Sequence, residues 1–224
     1  MKKVAIIVDG QFLLHRIRDA QNTKQYPNLS SQYNFLTSLI DEKEEELFRI
    51  FYYQGSPNKQ TVEKPISKDK IDFSESQINK YSSELIQDLS QLDYIAMRLG
   101  ETMFRGWKLK VPVLKKIREG TIRDTSTLTD NDFAPDFQQK GVDIKIGLDV
   151  AWLSNNKIVD RIYLVTGDAD FVPALKQARR EGIQIRLIKI GNKKINSDLL
   201  KHADFVSEIS NDEVNTKSSE TKLN

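Results

Sequence analysis

Four aspartates stand at positions where their side chains could hold a divalent cation together. Asp9 ends an aliphatic run, and Asp143 opens a segment with helical spacing. Asp168 and Asp170 follow a second apolar run, two residues apart. Mg²⁺ and Mn²⁺ prefer carboxylate oxygens and keep several waters, which leaves room for a phosphate oxygen and an attacking water. The residue types therefore predict a Mg²⁺ or Mn²⁺ site whose ligands are Asp9, Asp143, Asp168 and Asp170.

Buried strands are predicted to bring these acids to one edge of a sheet. Residues 4–8 and 162–166 form mainly apolar runs without alternation, which is typical of strands that are covered on both faces. Strands alternate with helices along the chain, so we predict an α/β fold with a mainly parallel sheet and right-handed crossovers. Open sheets of this class bind ligands beyond the carboxyl ends of their strands.

Each acid also has a purely structural interpretation. Asp143 could be the N-cap of its helix, and Asp168 and Asp170 could be cap and turn residues. A fifth acid, Asp149, could pair with Lys145 one helical turn away. Three separate acidic elements at one sheet edge favour a metal site over all of these structural roles taken together.

Composition excludes several other chemistries. The chain has no cysteine and two histidines, which excludes disulfides and thiolate catalysis and argues against a zinc site. Only Gly10 follows the first strand, whereas a phosphate-cradling or dinucleotide-binding loop is rich in glycine. An aspartyl phosphatase needs a second acid two residues after Asp9, where Gln11 stands.

Membrane and secretion signals are not found in the sequence. No apolar run reaches the roughly 18 to 20 residues that span a membrane. The first apolar run ends at Asp9, too early for the apolar core of a signal peptide. We therefore expect a cytoplasmic protein that has no membrane partner.

The length of 224 residues favours one α/β domain with an insertion over two small domains. We predict a single domain over residues 1–210, with a variable insertion at about 55–139. Residues 58–73 and 124–139 are polar and are predicted to be loops. Residues 211–224 contain few aliphatic side chains and are predicted to form a disordered tail.

Four short segments stand in an order that is typical of one known family. They are VDG at 8–10, KGVDIKIGLD at 140–149, TGDADFVP at 166–173 and LLKHADF at 199–205. In these segments the chain resembles the NYN domain, in the LabA-like branch of the PIN-like nucleases. The resemblance implies a PIN-like three-layer α/β/α sandwich and a ribonuclease that hydrolyses RNA phosphodiester bonds with Mg²⁺ or Mn²⁺.

Carried over position by position, the resemblance implies five catalytic aspartates: Asp9, Asp143, Asp149, Asp168 and Asp170. We expect Asp149 to lie behind the metal ligands, because six residues along a helix turn it away from Asp143. The cation would neutralise the scissile phosphate and lower the pKa of a bound water, which a free carboxylate would orient. The family often has asparagine three residues after the first aspartate, and Phe12 stands there in this chain.

A basic segment extends from Arg98 to Arg123, with eight basic residues against two acidic ones and with Phe104 and Trp107 among them. We predict that it binds nucleic acid, with basic side chains on phosphates and an aromatic ring on a base. The residues assigned to this role are Arg98, Arg105, Trp107, Lys108, Lys115 and Lys116. Alternatively, the segment is a solvated surface, with Trp107 in a core and Lys108 on an edge strand.

Two other functions compete with that of a ribonuclease. A scaffold of the same fold would bind RNA or another protein without useful catalysis, and Phe12 in place of asparagine favours it. A nuclease that acts on single-stranded DNA would use the same acidic residues. The predicted partners are therefore RNA or single-stranded DNA. The chain could also pair with a second copy of itself in a homodimer.

Overall fold

A computed structural model describes residues 1–121 and 124–219 of the chain. Within this described part the chain forms two compact units. The first consists of Met1–Gln54, Glu84–Gly100 and Gly141–Asn224, and the second of Gly55–Ser83 and Glu101–Lys140. The second unit thus falls almost wholly within the region predicted as a variable insertion, whereas residues 84–100 of that region belong to the first unit.

The secondary-structure elements alternate along the chain. The strands are β1 (Lys2–Asp9), β2 (Glu45–Gly55), β3 (Thr61–Glu63), β4 (Lys70–Asp72), β5 (Ile95–Leu109), β6 (Phe133–Lys140), β7 (Arg161–Val165), β8 (Gln184–Ile190) and β9 (Phe205–Ile209). The α-helices are α1 (Gly10–Ala20), α2 (Leu29–Thr37), α3 (Gln77–Leu89), α4 (Val111–Arg118), α5 (Val142–Asn155), α6 (Val172–Arg180), α7 (Ser197–Lys201) and α8 (Asn211–Ser219). In the described ranges no helix combines the length and the apolar character needed to cross a membrane.

The first unit is built on a mainly parallel sheet. Its strands lie in the order β5-β2-β1-β7-β8-β9, with β1 parallel to both β2 and β7, and with β8 parallel to both β7 and β9. Strand β1 lies in the middle of the sheet. Its residues Val4 to Val8 are all apolar and all buried, as expected for a strand that is covered on both faces. The predicted α/β class with a mainly parallel sheet is confirmed.

Helices cover both faces of this sheet. Ala5 and Ile7 of β1 belong to a core cluster that includes buried residues of α5, α6 and α7. Their neighbours Val4, Ile6 and Val8 point to the opposite face, where α1 packs on β1 and α2 and α8 pack with α1. The first unit is therefore a three-layer α/β/α sandwich, as the resemblance implies.

The second unit is organised around aromatic side chains. Strand β3 pairs antiparallel with β4, and the later part of β5 pairs antiparallel with β6. The ring centroid of Phe73 lies 5.2 Å from that of Phe104 and 4.9 Å from that of Phe137. The prediction of loops at 58–73 and 124–139 is wrong where β3, β4 and β6 form. Strands β3 and β4 have only three residues each and β6 is largely polar, so their sequence pattern is weak. Aromatic residues that are scattered along the chain pack this unit together.

The chain after Ser210 begins with helix α8. The Ser210 N–H donates to Glu213 Oε2 over 2.8 Å and the Glu213 N–H donates to Ser210 Oγ over 3.2 Å, which is a reciprocal helix cap. Val214 is fully buried, and α8 packs on α1 and α2. The prediction of a disordered tail is therefore wrong for residues 211–219, where a cap and one buried valine stabilise a helix. Residues 220–224 of that predicted tail lie outside the described residues.

A buried ion pair joins the amino ends of β2 and β7. The Glu45 carboxylate accepts hydrogen bonds from Arg161 Nη1 and, over 2.6 Å, from the Tyr163 hydroxyl. The side chains of Arg161 and Glu45 are only 9% and 3% exposed. Burial, followed by the hydrogen bond to Glu45, raises the pKa of Tyr163 to about 12, so its hydroxyl remains a donor. These contacts replace the water that both charges lose on folding.

We predict that Glu45→Ala lowers the free energy of unfolding by about 3 kcal/mol or more, because it leaves the buried Arg161 charge without an anionic partner. Glu46→Ala, at the exposed neighbouring position of β2, should change it by no more than about 0.5 kcal/mol. Denaturant unfolding of both variants measures the difference. Equal effects of the two substitutions would show that the buried pair does not stabilise the fold.

Candidate active site

The carboxyl ends of β1 and β7 lie side by side at the point where the strand order of the sheet reverses. From β1 the chain continues through α1 and α2 to β2 on one side, whereas β8 and β9 extend the sheet beyond β7 on the other side. Open α/β sheets bind ligands at such a switch point. Asp9 is the last residue of β1, and Thr166, Gly167 and Asp168 follow β7 directly. Acids from two strands therefore stand at this edge.

Asp9 is half-buried and is fixed in orientation by its neighbours. Its Oδ1 accepts the Phe12 N–H over 3.1 Å, which caps α1, and its Oδ2 accepts the Thr166 hydroxyl over 3.4 Å. Burial raises the pKa of Asp9, and the charge of Asp168 raises it further. The hydrogen bonds, including one from the Gln11 N–H, lower the pKa and offset part of this rise. Asp9 thus binds a proton more tightly than an exposed aspartate does.

Asp168 and Asp170 form the exposed turn after β7, and the 3-10 turn Ala169–Phe171 begins between them. The Asp168 carboxylate accepts the Asp170 N–H over 3.0 Å, so Asp168 is a cap, as one structural interpretation predicts. The Asp168 N–H in turn donates to Thr166 Oγ1 over 3.2 Å. A cap role leaves room for metal binding, because a carboxylate offers about four lone-pair sites.

Asp143 lies in the first turn of α5, two residues after the N-cap Gly141. Gly141 has a φ of 81°, in the left-handed region that favours glycine. The interpretation of Asp143 as the N-cap is therefore wrong. Burial raises the pKa of Asp143, and the charges of Asp168 and Asp170 raise it further. The Asp143 carboxylate is thus close enough to the turn after β7 to be repelled by its two aspartates.

Asp149 lies further along α5 and is neutralised by a basic partner. Its Oδ2 accepts hydrogen bonds from the Tyr53 hydroxyl and from Arg98 Nε, both over 2.7 Å, and its Oδ1 accepts Arg98 Nη2 over 3.1 Å. Burial and the hydrogen bond to Asp149 raise the pKa of Tyr53, which keeps its hydroxyl a donor. The alternative pairing with Lys145 is wrong, because the Lys145 ammonium donates to the Leu99 carbonyl. Asp149 therefore attaches α5 to β2 and to the start of β5.

The four remaining aspartates, Asp9, Asp143, Asp168 and Asp170, form no ion pair with any described residue. In residues 1–121 and 124–219, however, no three histidine, aspartate or glutamate side chains lie close enough together to hold a metal ion. Mg²⁺ is usually bound by one or two carboxylates, several waters and a substrate phosphate rather than by an all-protein cage. The donor chemistry at this edge fits such a cation.

The residues predicted to bind nucleic acid lie in different surroundings, and several have partners within their own unit. Arg98 is paired with Asp149 in the first unit. In the second unit the Trp107 indole N–H donates to the Glu63 carbonyl over 2.8 Å, and its ring lies 5.6 Å from Phe104. The remaining contacts are Arg105 with Gln138, Lys108 with Asp136 and Lys115 with Glu119, while Lys116 is exposed on α4. Arg123 lies outside the described residues. Packing of Trp107 therefore agrees with its structural interpretation.

Several residues at this edge have no role predicted from the sequence. The fully buried Thr166 joins Asp9 to the turn after β7, and a threonine directly after a buried strand is the signal that could have revealed it. Lys193 and Lys194 follow the glycine that ends β8 and line a pocket with Asp9. A basic pair just beyond the carboxyl end of a parallel strand could have pointed to them.

A known domain family matches the part of the chain that contains most of these aspartates. Residues 108–210 match the model of the NYN domain. The NYN match includes the four aspartates of α5 and of the turn after β7, but not Asp9. It supports the NYN family for this chain and suggests a PIN-like nuclease fold, which agrees with the three-layer sandwich.

Two further comparisons add little to the NYN match. A crystal structure of a protein of unknown function from Vibrio parahaemolyticus is similar to the chain, with 16% sequence identity, a TM-score of 0.49 and coverage of 94% of each chain. The search of curated proteins gave no match.

The raised pKa of Asp9 predicts that Asp9→Asn stabilises the metal-free protein near neutral pH. A carboxyl group whose pKa is higher in the folded than in the unfolded state carries a stability penalty that grows as the pH rises from the unfolded-state pKa and is complete above the folded-state pKa. Asparagine removes this penalty and still caps α1. The gain should shrink as the pH falls through the folded-state pKa towards the ordinary value of 3.8.

Denaturant unfolding in the presence of a chelator, repeated over a series of pH values, measures this gain. A variant that is less stable than the wild type at neutral pH would contradict the prediction.

Proposed function

We propose that the chain is a Mg²⁺- or Mn²⁺-dependent ribonuclease of the LabA-like branch, which hydrolyses RNA phosphodiester bonds at the carboxyl ends of β1 and β7. One observation carries the proposal. Acids from β1, from the turn after β7 and from α5 repel one another and have no cationic partner among the described residues. Repulsion of this kind is costly for a fold without a ligand, and groups with perturbed pKa values concentrate at functional sites.

The residues proposed to hold the cation, directly or through its bound waters, are Asp9, Asp143, Asp168 and Asp170. A bound cation of this kind supplies charge neutralisation for a phosphate and a more acidic water. Asp9 is held ready by the Phe12 N–H and the Thr166 hydroxyl, so little reorganisation is needed when a ligand arrives. Thr166 also positions the backbone of Asp168.

Asp143 is proposed as the carboxylate that α5 contributes to the cation. Burial and the charges of Asp168 and Asp170 raise the pKa of Asp143 in the metal-free protein, and a cation bound among these carboxylates would relieve their repulsion. Asp149 is proposed as a positioning residue, since its contacts with Arg98 and Tyr53 hold α5 against the sheet.

A scaffold without useful catalysis remains the second candidate, and Phe12 is the observation that favours it. The Phe12 ring stands where the family often has a polar asparagine side chain, and it packs against Gly167, where a Cβ would lie 2.9 Å from Phe12 Cε2. This position therefore offers no oxygen ligand. Cleavage of single-stranded DNA is a further alternative, and it is tested by the choice of substrate.

We predict that Asp168→Asn reduces divalent-dependent RNA cleavage by about 100-fold or more, since even residues that only support metal ligands contribute 10- to 100-fold. Asp88→Asn, which removes the same charge at an exposed position of α3, should cleave like the wild type. A time course on RNA and on single-stranded DNA, with Mn²⁺ or with chelator, measures both variants. Wild-type cleavage by Asp168→Asn would disprove the assignment.

We predict that Mn²⁺ raises the melting temperature of the wild type, because a ligand that binds only the folded state stabilises it by mass action. At 100 times the dissociation constant the gain is about 2.7 kcal/mol, or roughly 5 to 10 °C for a chain of this size. Thermal unfolding of Asp168→Asn should show a smaller shift. No shift in the wild type at millimolar Mn²⁺ would favour the scaffold.

A further inference from the structure

A pocket opens beside the candidate active site and combines two carboxylates with basic side chains. Its volume is about 540 Å³, within the range of roughly 300 to 1,000 Å³ that is usual for ligand sites. Asp9 and Asp168 line it on the side of the carboxyl edge. Four basic or titratable side chains also line it: His15, Arg16, Lys193 and Lys194. The pocket thus offers oxygen ligands for a cation and positive charges for an anion.

The basic side chains of this pocket retain unused hydrogen-bond donors. Arg16 Nη2 lies 3.1 Å from Asp19 and Lys193 Nζ lies 2.8 Å from the same carboxylate, so one acid is shared between two cations. The Nε of Arg16 is buried and has no hydrogen-bond partner in the described part of the chain. Lys194 is exposed and forms no ion pair with a described residue. Asp19 is thus shared between Arg16 and Lys193, and Lys194 has no acidic partner among the described residues.

Phe12 holds Arg16 at the pocket. One side of the Phe12 ring packs against Gly167, where any larger residue would collide with it. The Arg16 guanidinium carbon lies 5.4 Å from the ring centroid, within reach of a cation–π contact. Phe12, which departs from the family pattern, therefore holds the positively charged Arg16 side chain in the same pocket as the carboxylates.

We propose that this pocket binds a phosphate group of the RNA strand next to the scissile bond, through Arg16, Lys193 and Lys194. The proposal rests on the proposed function, because it assigns the flanking phosphate of the same substrate. A phosphate fits these three residues because arginine and lysine form charge-assisted hydrogen bonds with its oxygens. The pocket lies beyond the carboxyl ends of β1, β7 and β8. An RNA strand that reaches Asp9 and Asp168 would therefore also pass these basic residues.

The test compares charge-matched double variants in RNA binding. The first combines Lys193→Ala with Lys194→Ala, and the control combines Lys24→Ala with Lys43→Ala, at exposed positions outside the pocket. Fluorescence anisotropy with single-stranded RNA of about ten nucleotides is measured in chelator, so that binding is observed without cleavage. A series from about 50 to 200 mM salt gives the slope of log affinity against log salt. The free energy of unfolding is measured for each variant to confirm that it is folded.

We expect the Lys193 and Lys194 variant to bind RNA about tenfold more weakly, with a slope shallower by roughly 0.7 for each phosphate that the variant no longer neutralises. The control should bind like the wild type. If the Lys193 and Lys194 variant binds RNA with the affinity and slope of the wild type, the proposal is overturned, even where the wild type cleaves RNA. If this variant loses binding but the wild type does not cleave RNA, only the ribonuclease assignment is overturned.

Two further arms identify the ligand and the site. Adenosine monophosphate that binds the wild type as tightly as the RNA does would show that the pocket takes a free nucleotide, and would overturn its assignment to the strand. The variant Lys115→Ala with Lys116→Ala tests the basic segment of α4 in the same assay. A loss confined to that variant would place the phosphate contacts on α4 and overturn the pocket.

Discussion

Strands β1 and β7 pair in parallel, with Val8 opposite Val165, and this register sets the positions of the acids. It places the end of β1 beside the turn after β7, where the Thr166 hydroxyl contacts both Asp9 and the backbone of Asp168. A shift by one residue would turn every side chain of β1 to the opposite face of the sheet. The candidate site therefore depends on the same backbone hydrogen bonds that hold the centre of the sheet together.

Charge is treated differently at the two edges of this sheet. At the amino edge, the buried Glu45 is matched by Arg161 and by a tyrosine hydroxyl. At the carboxyl edge, Asp149 is matched by Arg98, but the acids around Asp168 accept hydrogen bonds only from backbone N–H groups and the Thr166 hydroxyl, and form no ion pair with a described residue. The sheet between the two edges is apolar and deeply buried, so it can tolerate this repulsion. Such a cost persists in a protein where function requires it.

Local sequence patterns predict those parts of the fold that depend on neighbours in the chain. The aliphatic runs of β1 and β7 have a strong pattern, so their strands and the acids that follow them could be predicted. The partner of Asp149 could not, because Arg98 lies far away in sequence and its charge is typical of the basic segment around it. The capping box of Ser210 and Glu213 was a local signal for the start of α8, but the burial of Val214 that stabilises this helix depends on α1 and α2. The strands of the second unit could not be predicted because their aromatic contacts are distant in the chain. The basic residues of the pocket come from α1 and from the loop after β8, which only the folded sheet brings together.

Helix α8 connects the last residues of the described chain to two helices near its beginning. Besides the packing of Val214, the Asn215 side chain donates to the Ala20 carbonyl over 3.4 Å at the end of α1, and the Lys217 ammonium donates to the Ser38 carbonyl over 3.0 Å after α2. Since α1 is capped by Asp9, a protease that cuts just after Ser210 would loosen the far end of the very helix whose first turn orients that carboxylate. Limited digestion after Ser210 would then disturb the orientation of Asp9, although it cuts no residue of the candidate site.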